Sequence, residues 1–174
     1  RFYGKVEVQH ATSFLYFEKK SMTQKFMHEI KYKGEKELGE HLGKIFGADL
    51  KRSWFDEIDA IIPVPLHSKR LKERGYNQSE WIAQGIARSM GKPLITDALI
   101  RESATQTQTK KGVYERWQNV NGIFKVINPT KIENKHILVI DDVITTGATI
   151  EACISGLISA DGVKVSVATL AVAE

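Results

Sequence analysis

Apolar positions change their period several times along this chain, and each change marks an expected element. Residues 12–17 (Thr-Ser-Phe-Leu-Tyr-Phe) are aromatic and β-prone, which predicts a strand. Over 21–31 and 35–48 the apolar residues fall three and four apart, the spacing of one helix face. They are Met22, Phe26, Met27 and Ile30, then Leu38, Leu42, Ile45 and Phe46, with Gly34 marking the break. Ile58–Ile62 has the pattern of a buried strand and runs into Pro63-Val64-Pro65, where the prolines end it. A basic loop is expected from Leu66 to Tyr76, then a helix capped by Asn77, running through Met90 and closed by Gly91. A strand over 94–100 precedes a polar stretch, 101–118, which reads as a long mobile loop with a helical turn near Val113–Trp117. Residues 122–127 predict a short strand. His136–Ile140 is a near-continuous aliphatic strand of the kind found inside a parallel sheet. A helix over 147–160 and a strand over 163–172 complete the order.

Strands alternating with helices predict an α/β fold with a mainly parallel sheet flanked by helices. Composition does not change that picture: 42% of the 174 residues are hydrophobic and 26% are charged. The length suits one domain, with residues 1–57 as an N-terminal strand and helices and 58–174 as the core. No apolar run approaches a membrane span, and the opening Arg1-Phe2-Tyr3-Gly4-Lys5 lacks the long apolar core of a secretory signal. Cys153 is the single cysteine, so an internal disulfide and a cysteine-rich zinc site are excluded. A cytoplasmic location is therefore expected, and the sequon Asn77-Gln78-Ser79 is read as incidental. The net charge of +4 fits an anionic ligand and permits nucleic acid without requiring it.

The candidate chemistry lies in Ile137 to Thr149, where the apolar strand ends in Asp141-Asp142 and a Thr145-Thr146-Gly147-Ala148-Thr149 turn opens a helix. Ligands of open parallel sheets bind beyond the carboxyl ends of the strands, where this turn is expected. Backbone amides of the helix N-terminus and the three threonine hydroxyls would cradle a phosphate dianion. Gly147 would let the backbone approach the ligand closely. Asp141 and Asp142 would repel phosphate, and suit hydroxyl donors or a hydrated cation instead, as a ribose ring with Mg²⁺ would offer.

This order of residues resembles the PRPP-binding motif of the type I phosphoribosyltransferases. The resemblance implies that fold, an acidic pair on the ribose hydroxyls, Mg²⁺ held through those hydroxyls or water, and a 5-phosphate site over Val143 and Thr145–Thr149. A second stretch, Pro63-Val64-Pro65-Leu66-His67-Ser68-Lys69-Arg70-Leu71-Lys72-Glu73-Arg74-Gly75-Tyr76-Asn77-Gln78, is similar to the signature of the ComF family. Those phosphoribosyltransferase-like proteins are associated with DNA uptake and natural competence. Arg101, Thr105, Gln108, Arg116, Asn119 and Phe124 also fall at that family's spacing. Members usually begin with a four-cysteine zinc ribbon, which these residues lack, and Ser103 stands where a second basic residue is common.

Within this frame Lys69, Arg70 and Arg74 are expected to hold pyrophosphate, and Lys110, Lys111 and Arg116 to add charge from a loop that closes over the site. Arg116 is the expected catalytic residue beside the acidic pair. His67 is expected to cap the segment after Pro65, Cys153 and Trp81 to lie in the core, and Trp54 or Trp117 to stack a base where exposed. Two functions stay open. One is a glycosyltransferase that moves phosphoribosyl from PRPP to an undefined acceptor, releasing pyrophosphate. The other is a competence factor that binds single-stranded DNA, or a partner such as a helicase or recombination mediator, and keeps PRPP as a regulatory or vestigial ligand.

Overall fold

The computed structural model describes residues 6–102 and 123–173. Four parallel strands form the main sheet: β1 (Ala11–Phe17), β2 (Ala60–Pro63), β5 (His136–Ile144) and β6 (Lys164–Ala173), in the order β1-β6-β5-β2. A single parallel bridge, Ile61 to Leu94, extends the edge beyond β2. Two short strands, β3 (Leu99–Arg101) and β4 (Phe124–Val126), pair antiparallel in a separate ribbon. The expected strand over 94–100 is thus divided, since only its first residues join the sheet and its last ones pair with β4.

Both faces of the sheet are covered. On one face Ile61, Leu138, Ile140, Ala168 and Leu170 pack with α1 (Met22–Tyr32), α2 (Lys36–Leu50) and α4 (Gln78–Met90). On the other, Ile62, Ile137, Val139, Val165 and Val167 pack with α5 (Ala148–Leu157) and the ribbon. Alternate residues of β5 therefore feed two different cores, which is why its sequence reads as an unbroken aliphatic run. Cys153 is fully buried among them, as expected, while Trp81 is half-buried beside Lys36 rather than enclosed.

The caps expected from sequence are in place. Asn77 accepts from the Ser79 amide, and Gly91 ends α4 in the left-handed conformation. Between β2 and α4 the expected basic loop is instead a helix, α3 (Ser68–Arg74). His67 caps its start through the Lys69 amide, and Gly75 at φ +78° ends it. None of its residues is buried, so the hydrophobic periodicity that reveals other helices is missing here.

Candidate functional site

The parallel strands all point their carboxyl ends the same way, and the polar residues gather there. Strand β5 does not end at the acidic pair: it continues through Asp141 and Asp142 to Ile144, paired in register with β6 as far as Val172. The two carboxylates are thereby held on rigid backbone, and strand alternation turns them to opposite faces. Both carboxylates nonetheless reach the first residues of α4, which starts beyond the strand ends. Ser79 Oγ donates to Asp141 Oδ1 at 2.9 Å, and Gln78 Nε2 donates to Asp142 Oδ2 at 3.0 Å. Backbone amides serve the same acids, Asp142 N on Asp141 and Val143 N on Asp142. Lys31, from the last turn of α1, places Nζ 2.9 Å from Asp142 Oδ2. Asn77 fixes the start of α4 against β2 by donating from its side chain to the Val64 carbonyl at 3.0 Å.

Around this pair lies a cavity of about 340 Å³, walled by Phe17, Lys31, residues 64–66, Arg70, Arg74, Gln78, Ser79, Arg101, Asp141–Val143, Thr145 and Thr149. Four cations thus face two carboxylates across it. A second cavity of about 510 Å³ shares Lys31, Arg70 and Arg74 and is bounded by Tyr32 and Tyr76. The turn from Thr145 to Thr149 encloses a smaller hollow of about 30 Å³ at the start of α5. There Gly147 adopts φ +88°, a conformation that disfavours side chains, and Thr146 Oγ1 accepts from the Ala148 amide.

Among the described residues three buried polar atoms lack a hydrogen-bond partner: Arg74 Nη1, Arg101 Nε and Gln78 Oε1. All three side chains line the 340 Å³ cavity. Burial, and then the nearby Arg70 charge, lower the Arg101 pKa against the opposing pull of Asp141, yet a guanidinium remains protonated. Burial, and next the Asp142 charge, push Asp141 up to about 7.

Most of the sequence-predicted site is brought together here: Asp141, Asp142, Val143, Thr145, Thr146, Gly147, Ala148 and Thr149 line one or more of these spaces, as do Arg70 and Arg74. Lys69 lines none of the three. The reason is the helical form of α3: Arg70 and Arg74 are four apart and share a face, while Lys69 is turned about 100° from Arg70. Arg116, Lys110, Lys111, Thr105, Gln108, Asn119, Trp117 and the turn near Val113–Trp117 lie outside the described residues. Trp54 is 75% exposed, but it precedes β2 and stacks on His10 ahead of β1, at the opposite end of the sheet from the cavity.

Sequence reasoning did not assign roles to Lys31, Gln78 or Ser79. Gln78 and Ser79 had a signal, since they follow the Asn77 cap directly and a helix start above parallel strands faces the site. Lys31 had none beyond being a cation in the last turn of a predicted helix. Among the described residues no group of three or more His, Cys, Asp or Glu side chains is placed to hold a metal ion, and no helix is long and apolar enough to cross a membrane.

Comparison with known proteins agrees with this geometry. The family described as Phosphoribosyl transferase domain matches residues 77–173. Competence protein F of Haemophilus influenzae is 35% identical over 107 residues, 61% of this chain and 46% of the relative. DNA utilization protein YhgH of Escherichia coli O157:H7 is 29% identical over 128 residues, 71% of this chain and 56% of the relative. The chain thus spans about half the length of these curated relatives. Among solved structures, glutamine phosphoribosylpyrophosphate (PRPP) amidotransferase from B. subtilis aligns with a TM-score of 0.54 and 21% identity, over 81% of this chain and 30% of that one. That likeness supports the type I phosphoribosyltransferase fold, and the relatives' names agree with the ComF resemblance.

Proposed function

The chain belongs to the phosphoribosyl transferase domain family, and from that premise we propose that it binds PRPP or another ribose 5-phosphate in the 340 Å³ cavity, in the service of DNA handling during uptake. The observation that carries this reading is the mixed set of unpaired atoms. Two guanidinium donors, on Arg74 and Arg101, and one amide acceptor, on Gln78, are buried without partners among the described residues, and all three side chains line a single cavity. A buried polar group left unpaired costs about 1–3 kcal/mol. A ligand that satisfies all three must carry both anionic oxygens and hydroxyl groups, and a sugar phosphate does. An anion without a hydroxyl would answer the arginines and leave Gln78 unmet.

In this reading the 5-phosphate sits at the Thr145–Thr149 turn, where Gly147 and the α5 amides accept its approach. Ribose hydroxyls donate to Asp141, whose Oδ1 is already steadied by Ser79 and the Asp142 amide. Arg70, Arg74 and Arg101 take the pyrophosphate. The acid pair fits a hydrated Mg²⁺ carried in by the ligand better than a resident ion, because both oxygens of Asp142 already meet protein donors. Asp141 and Asp142 would hold such an ion through ribose hydroxyls or water, and it would supply positive charge to offset that of a departing pyrophosphate. Rigid placement of the acids on β5 and of the cations on α1, α3 and β3 would contribute positioning and charge stabilisation, with no protein nucleophile. The acceptor of a phosphoribosyl group, and transfer itself, are part of the proposal.

A second reading, single-stranded DNA or partner binding without turnover, draws on the adjoining 510 Å³ cavity, where Arg74 lies over the ring of Tyr32, itself 66% exposed. Such binding would weaken steeply with salt. The names of the relatives, a competence protein and a DNA utilization protein, support a role in DNA handling under either reading, and both readings suit a cytoplasmic protein.

Calorimetric titration with PRPP, on wild type and on Asp141→Asn/Asp142→Asn, tests the main reading. Saturable binding that the double variant weakens about tenfold or more is expected. Absence of binding at millimolar PRPP would overturn it and leave nucleic acid or a protein partner.

A further inference from the structure

Lys31 occupies the place at the acidic pair where a divalent cation would be looked for. Its Nζ is 2.9 Å from Asp142 Oδ2, with the lysine side chain 24% exposed and the aspartate 8%. Gln78 shares that oxygen and the Val143 amide takes the other, so an ion touching Asp142 directly would have to expel protein donors. The lysine is not a wandering surface chain. Its neighbours Met27 and Ile30 are buried in the core, and Tyr76 donates its hydroxyl to the Ile30 carbonyl, which pins the last turn of α1 beside the strand ends.

An ammonium carries three N–H donors. One serves Asp142, and Lys31 lines both the 340 Å³ and the 510 Å³ cavities, in company with Arg70 and Arg74. Two carboxylates beside a polyanionic ligand are a source of repulsion, and a cation shared between carboxylate and ligand removes it. We propose that Lys31 is the resident cation of this pocket: held on Asp142, it donates to phosphate or pyrophosphate oxygens of the ligand and supplies part of the neutralisation that Mg²⁺ would otherwise bring. The proposal rests on the ribose-phosphate reading and deepens it, because it makes binding of the ligand only weakly dependent on metal.

The test is the ratio of PRPP affinities measured by calorimetry in Mg²⁺ and in EDTA. Wild type is expected to lose no more than about threefold on removal of the metal. Lys31→Met and Lys31→Gln should each lose about tenfold or more in EDTA while Mg²⁺ restores most of the binding, and Lys31→Arg should behave like wild type. The glutamine variant keeps a polar N–H donor beside Asp142 while removing the charge, so it guards against a folding defect in the methionine variant, and thermal unfolding reports on both. A role confined to structure would weaken binding equally in the two buffers and leave the ratio unmoved. That result, or a wild type that binds only with Mg²⁺, overturns the Lys31 assignment while the ribose-phosphate reading stands. A wild type that binds in neither buffer overturns both.

Discussion

The body and the N-terminus of helix α4 use close packing for opposite purposes. Along its body α4 lies against α2 with backbone almost touching backbone. A Cβ on Gly43 would come within 2.2 Å of the Ile82 carbonyl oxygen, and one on Gly85 within 2.1 Å of the Glu40 carbonyl oxygen. Gly47 is nearly as tight, at 2.9 Å from Ile86. At its N-terminus the same helix buries Gln78 and Ser79 against the acids of β5 and leaves Gln78 Oε1 without a partner among the described residues. The seam is complete without further atoms, whereas in the proposed reading the N-terminal end is completed by a ligand. Stability and function are thus separable along a single helix, with α4 serving as the rigid rod that carries one to the other.

The sharpest way to break the seam is Gly85→Ala. The added methyl has no flexible side chain to displace, only the backbone of α2, so the helices must move apart. Overpacking of this kind costs roughly 1–3 kcal/mol in ordinary cores, and a backbone clash belongs at or above the top of that range. Denaturant unfolding should show a loss of about 3 kcal/mol or more.

At the site end the largest effect on stability should come from Asp141, and it should depend on pH. Its folded pKa is raised from 3.8 to about 7, by burial and then by the charge of Asp142. A raised carboxylate binds its proton more tightly when folded. The stability this contributes is therefore fully present below about pH 4 and is lost as pH rises through about 7. Asn cannot ionise, and its amide oxygen can still accept from Ser79 and the Asp142 amide. Asp141→Asn should consequently be about 1–2 kcal/mol more stable than wild type above pH 7, and no more stable near pH 4. Urea melts at the two pH values check this, and an equal gain at both would contradict the linkage.

The seam and the site also differ in how plainly the sequence announced them. Each strand overlaps a run expected from sequence, although the run over 94–100 is divided between sheet and ribbon. The aliphatic runs of β2, β5 and β6 were plain because burial on both sheet faces demands them, and Asn77 and Gly91 marked the caps of α4. Helix α3 escaped because Lys-Arg-Leu-Lys-Glu-Arg offers one apolar residue and no face to bury, and its end caps, His67 and Gly75, carry the signal instead. The continuation of β5 through Asp141-Asp142 was masked by polarity, since pairing with β6 holds that backbone whatever its side chains. The acids and the threonine turn were legible because they are contiguous. The donors that organise the acids were not, as Ser79 and Gln78 lie 62 and 64 residues away and Lys31 farther still. Glycines at 43 and 85 likewise mean little until α2 and α4 are seen in contact.

The smallest stability effects sharpen the comparison most. Arg74 and Arg88 each lose a guanidinium on conversion to Gln, one at the cavity and one beside the seam. Arg88 is exposed and ion-paired with Glu40, a surface pair of the kind that contributes little. Arg74 is tucked over Tyr32 with Nη1 buried and unpartnered among the described residues, so removing its charge also removes an unmet desolvation cost. Both variants should therefore melt within about 2 °C of wild type. Their anion affinities should diverge: Arg74→Gln should weaken pyrophosphate binding by about tenfold, while Arg88→Gln leaves it unchanged. Calorimetric titration of pyrophosphate into the two variants at one ionic strength makes the measurement. If both weakened alike, the cavity would be attracting anions through the general positive charge of the chain, and the unpaired arginine atoms would have no special part in recognition.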